Sequence, residues 1–138
     1  MAPINDTHAE QAFINKVAAG AMAAQRRYGV PASVTIAQAI DESGWGMSSL
    51  AAKDHNLFGI KGAGPAGSDV LATQEYQNGQ FVTLNSPFRI YYNIAESIND
   101  HGKLLATSPY YRNAMANRQD PNAFAAALTG VYATDPQY

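Results

Sequence analysis

The chain has 138 residues, 46% of them hydrophobic and 14% charged, with a formal net charge of −2 at pH 7. That balance describes one folded unit, residues 1–138, long enough to bury a core and without a general pull toward polyanions. Cysteine is absent and no Lys/Arg run forms a phosphate-tracking stripe, so disulfides, Cys-ligated zinc, thiol nucleophiles and nucleic-acid binding are not expected.

The first ten residues lack the basic-then-apolar layout of a leader, so any export signal is expected outside this chain. Thr7 and Glu10 have capping-box spacing, and Phe13, Val17, Ala21, Ala24 and Tyr28 recur at helical steps until Gly29, a left-handed stop. Pro31 and Ser33 open a second helix, apolar over most of its circumference through Val34, Ile36, Ala37 and Ile40, which suits a core position. Gly44 and Gly46 break it around Trp45, and a short helical turn is expected over Ser48 to Ala52.

Six residues from Gly62 to Gly67 hold three glycines and a proline and read as a mobile connector, a candidate lid. Val70 to Tyr76 and Gln80 to Leu84 flank Asn78-Gly79, a hairpin signal, and Pro87 to Tyr92 is expected as a third strand, giving a β-lobe over about residues 69–92. Asn93 with Glu96 caps a helix that stops at Ser108-Pro109; a short helix over Tyr110 to Asn117 and one capped by Asp120-Pro121 follow. Helices, then a small antiparallel sheet, then helices make the class α+β, with a cleft expected where body and lobe meet. No apolar run reaches the ~20 residues of a membrane span.

Among residues that could carry chemistry, Glu42 closes the second helix, where exposed carbonyls disfavour negative charge, and Trp45 follows at once. A helix end and a neighbouring indole would both raise its pKa, as a general acid for glycosidic cleavage requires. Asp41 is its rival, and helical periodicity does not separate the two. His8, His55 and His101 are far apart and form no metal-binding pair, so neither metal nor cofactor is expected.

Residues Gln38-Ala39-Ile40-Asp41-Glu42-Ser43-Gly44-Trp45-Gly46, followed by Asn56-Leu57-Phe58-Gly59-Ile60-Lys61, resemble glycoside hydrolase family 73, the bacterial N-acetylglucosaminidase domains of autolysins and flagellar rod-cap hydrolases. The resemblance continues through Thr73-Gln74-Glu75-Tyr76, Phe88-Arg89-Ile90-Tyr91, Glu96 to His101, and Tyr132-Ala133-Thr134-Asp135-Pro136-Gln137-Tyr138. It implies a lysozyme-like fold, with a mainly helical body and a β-hairpin lobe flanking a cleft. It also implies hydrolysis of the β-1,4 bond between N-acetylglucosamine and N-acetylmuramic acid in peptidoglycan.

By the same resemblance Glu42 is the general acid, Glu75 the second carboxylate and Tyr132 a tyrosine lining the site. Trp45, Asn56, Phe58 and Tyr91 are then candidate sugar contacts, although a tryptophan beside a helix end can equally pack into the core. Arg89 is expected to order the cleft through a carboxylate. Asp41 departs from the family's usual neutral residue and would raise the pKa of Glu42 further if it points inward. The implied partner is the peptidoglycan glycan strand, met by a monomer secreted to the cell wall or periplasm. A muramidase or lytic transglycosylase cutting the other glycan bond, or a silent wall-binding module, are the alternatives.

Overall fold

The computed structural model describes residues 7–132 and Asp135. Its order is α1 (Thr7–Tyr28), α2 (Ala32–Ser43), α3 (Ser49–Asp54), β1 (Gly67–Gln77), β2 (Gln80–Ile90), α4 (Ile94–Thr107), a 3-10 turn (Pro109–Tyr111), α5 (Arg112–Ala116) and α6 (Pro121–Leu128). The α+β class and the helical body with one β-lobe match the sequence reading. Among the described residues no helix is long and apolar enough to cross a membrane.

Helix α1 buries the expected stripe, Phe13, Val17, Ala21 and Ala24, and Gly29 ends it at φ 81°. Thr7, expected as its cap, is already helical. The stripe packs on α4 and α2 around Leu57, Phe58, Ile60 and Ile98, and full burial of a Leu or Phe contributes roughly 1.5–3 kcal/mol. Gly20 and Gly102 permit the α1–α4 approach, since a Cβ on either would lie 2.9 Å from Ile98 or from Tyr28. A second cluster, Val30, Val34, Leu105, Tyr111, Phe124 and Leu128, joins α2 to the C-terminal helices. Asn93 accepts from the Glu96 N–H and Asp120 from the Asn122 and Ala123 N–H groups, so both expected caps are in place.

The sheet has two strands, not three, among the described residues. The expected strand at Pro87 to Tyr92 is in fact the far end of β2, paired in one register from Gln77↔Gln80 to Gly67↔Ile90. Proline is tolerated there because the N–H and C=O of one strand residue face the same edge. Pro87 O accepts from Gly62 N on the outer edge, so the missing N–H costs no bond to β1.

The glycine connector is likewise tied down rather than lid-like. Gly62 N donates to Pro87 O, Gly64 N to Gly67 O and Ala66 N to Ile90 O. A Cβ on Gly64 would lie 2.4 Å from Ile90 O, so the loop packs directly on β2. The lobe is fixed to the body through Arg89, which donates to Lys61 O and to Asp100 on α4, and through Tyr91 N, which donates to Asp54 O.

Candidate active site

Glu42 occupies the last turn of α2, and the residues after it make the stop. Gly44, Trp45 and Gly46 all have positive φ, at 56°, 61° and 78°. For Trp45 that conformation costs about 1–2 kcal/mol, offset by packing of its indole edge-on against Phe13, 6.2 Å away, at the rim of the main core. Ser43 completes the turn, donating to Ala39 O and accepting from Gly46 N. Gly46 has no alternative, because a Cβ would meet the Phe13 ring at 2.7 Å. The Glu-Ser-Gly-Trp-Gly block is thus a helix stop riveted to α1, and it leaves Glu42 facing outward.

What Glu42 faces is an open cavity of about 470 Å³ between α2 and α6. Ser33, Val34, Ala37, Gln38 and Asp41 line it from α2, and Asn122, Ala125, Leu128 and Tyr132 from the opposite side. Burial pushes the Glu42 pKa up, and the neighbouring Asp41 charge pushes it the same way. The raised pKa expected from the sequence therefore holds, while Trp45 lines a different cavity, with Phe13, Met47 and Ala52. Asp41 shares the Glu42 cavity, so the departure from the family pattern acts at the site.

Tyr132 reaches this cavity from the turn after α6. Three residues further on, Asp135 is buried and accepts from the buried Tyr111 hydroxyl at 2.6 Å, and its N–H donates to Tyr132 O. The remainder of the Tyr132 to Tyr138 block lies outside the described residues.

Glu75 does not line the Glu42 cavity. It lies on the half-buried face of β1, paired to Lys61 at 2.8 Å and accepting from Thr73 Oγ1. Lys61, by hydrogen bond and by charge, holds its carboxyl below the usual range, with the Thr73 hydroxyl acting in the same sense. The two carboxyls are therefore pushed apart, one toward the protonated form and one toward the ionised.

Three of the expected sugar contacts are interior instead. Asn56 is 1% exposed; its Nδ2 donates to Ile60 O and Arg89 O, and its Oδ1 accepts from Ile60 N. That leaves it no free N–H. Phe58 is fully buried, stacked on His101 with ring centroids 3.9 Å apart. Tyr91 is 2% exposed and donates to Asp100, at the edge of a second cavity of about 530 Å³ that includes Arg89, Glu96 and Asn99. Trp45 belongs to the core rim, as above. These residues were read as contacts because motif blocks do not distinguish residues that build a site from residues that touch its ligand.

Gln38 and Asn122 line the Glu42 cavity without having been singled out in the sequence. Gln38 had a usable signal, since it precedes Glu42 by four residues on one helix and so shares its face. The Tyr111–Asp135 tie, between residues 24 apart, had none.

The family described as mannosyl-glycoprotein endo-beta-N-acetylglucosaminidase matches residues 18–138 of the chain. A probable N-acetylmuramidase of Lactococcus lactis subsp. lactis is 46% identical over 139 residues, covering 96% of this chain and 32% of the relative. The exo-glucosaminidase LytG of Bacillus subtilis is 37% identical, covering 94% of this chain and 48% of the relative. The chain thus spans a third to a half of the length of these curated relatives. The catalytic domain of the autolysin Auto from Listeria monocytogenes superimposes with a TM-score of 0.83 at 36% identity, covering 99% of this chain and 82% of that one. Matched along nearly its whole length in sequence and in fold, the chain belongs to the glucosaminidase family of glycoside hydrolases, family 73.

Proposed function

We propose that this domain hydrolyses the β-1,4 bond between N-acetylglucosamine and N-acetylmuramic acid in peptidoglycan, outside the cytoplasm, with Glu42 as general acid. The observation that carries the proposal is the shared cavity: a carboxyl held toward its protonated form and a tyrosine face one open space about large enough for a sugar ring. Protonated Glu42 gives its proton to the glycosidic oxygen as the bond to the anomeric carbon breaks. Glu75, kept ionised by Lys61, is the second carboxylate and activates water or supports the substrate's own acetamido group. Tyr132 holds that acetamido group or the water through its phenol. Asn56, Phe58, Tyr91 and Trp45 position the site from behind.

A second reading, cleavage of the other glycan bond, is favoured by the name of the Lactococcus relative, a probable N-acetylmuramidase. Digestion of purified peptidoglycan, borohydride reduction and mass spectrometry separate the two. The proposal expects fragments ending in reduced N-acetylglucosamine, with release reduced in Glu75→Gln. Reduced muramic ends would establish the muramidase, and no release would leave a wall-binding module.

A further inference from the structure

One polar side chain in the Glu42 cavity has unspent hydrogen-bonding capacity, and its orientation is fixed from inside the core. Gln38 lies one helical turn before Glu42 and lines the same cavity. Its Oε1 is 2.9 Å from His101 Nε2. His101 is fully buried on α4, stacked on Phe58, and burial pulls its pKa down to about 3. The ring is therefore neutral at working pH, and the proton shared with Gln38 sits on Nε2, because an amide oxygen only accepts. With Oε1 held by His101, the Gln38 amide NH2 makes no hydrogen bond among the described residues, and the side chain lines the cavity.

We propose that Gln38 is a substrate-contacting residue whose NH2 donates to the acetamido carbonyl of an N-acetyl sugar in the Glu42 cavity, and that His101 is its positioning residue. The rest of the lining fits such a group. Val34, Ala37, Ala125 and Leu128 supply apolar surface for the acetamido methyl, and the amide carbonyl is the strongest neutral acceptor a glycan carries. A buried neutral histidine holds the glutamine in one rotamer, so the donor is aimed before the ligand arrives. The inference rests on the sugar-binding reading of this cavity, and it adds the residue that distinguishes acetylated from deacetylated glycan.

The test uses the Glu42→Gln chain, which binds without turnover, and a tetrasaccharide of alternating N-acetylglucosamine and N-acetylmuramic acid, with and without its acetyl groups. Calorimetry is expected to show tighter binding of the acetylated form. Adding Gln38→Met, close in volume but lacking the donor, should weaken that form about tenfold and leave the deacetylated form unchanged; the melting temperature should fall, because the buried His101 N–H loses its acceptor, with the chain still folded at the assay temperature. His101→Phe, which keeps the stack on Phe58, should weaken the acetylated form similarly and add nothing in the Gln38→Met background. Equal losses on both glycans, no loss with Gln38→Met, or no binding by the Glu42→Gln parent would overturn the proposal. If His101→Phe does not fold, Gln38→Met decides alone. Failure of the hydrolase reading is recorded separately, as absence of released fragments from the chain with Glu42 intact.

Discussion

At the scale of single residues, the proposed chemistry turns on two neighbouring carboxyls that periodicity could not rank. Glu42 and Asp41 line one cavity, and the charge on Asp41 raises the pKa of Glu42 in addition to burial. A general acid works in its protonated form, so activity falls as pH rises through that pKa. Asp41→Asn removes the repulsion that favours the proton, and the alkaline limb of the pH–rate profile is expected to move to lower pH. A profile unchanged in position would mean that Asp41 does not bear on the reacting carboxyl. The proposed role of Glu42 was legible only through the motif; burial and the Asp41 charge perturb its pKa, and the cavity that it shares with Asp41 left no mark in the sequence. Proximity in sequence put Trp45 beside it, but the left-handed residues Gly44 to Gly46 turn the indole onto Phe13.

At the scale of elements, helices with a clear apolar stripe were legible nearly to the residue, because burial of one face and a capping side chain both leave local marks. The segment from His55 to Lys61 left none. It has no regular structure, yet Asn56 ties it to itself through Ile60 and to β2 through Arg89 O, and Ser97 Oγ accepts from Leu57 N within the core. Asn56→Ala would strand the Ile60 N–H and the Arg89 carbonyl, whereas Ile60 O keeps the Arg89 N–H, at about 1–3 kcal/mol for each group left unsatisfied. Denaturant unfolding is expected to show a loss of that order, with the substrate affinity of the remaining folded protein little changed. A variant of normal stability and weakened affinity would return Asn56 to the cleft. The β2 strand was expected to stop at Leu84, with a new strand from Pro87, for a similar reason: which edge a proline faces is set by the register with β1, not by the residue itself.

At the scale of the whole molecule, the site is assembled from opposite ends of the chain. Helix α2 brings Glu42, and the turn after α6 brings Tyr132, ninety residues later in the sequence by numbering. Their meeting depends on the second core cluster, where Tyr111 reaches Asp135 and Asp135 in turn holds Tyr132 O. Tyr111→Phe keeps the ring and removes one hydrogen bond to Asp135, so stability should fall by roughly 0.5–3 kcal/mol. The turnover number should fall with it as Tyr132 loosens, while the pH profile set by Glu42 stays in place. Full turnover in this variant would show that Tyr132 is held by other means.

The claim on which the rest depends is that Glu42 delivers the proton. Peptidoglycan digestion rates of the intact chain and of Glu42→Gln, with circular dichroism to establish that both are folded, test it most directly. The account predicts a loss of about 10²- to 10⁴-fold with the fold unchanged, the contribution of a positioned general acid. A folded Glu42→Gln chain that releases fragments at the rate of the intact one would contradict it, and would move the chemistry to a carboxyl outside this cavity.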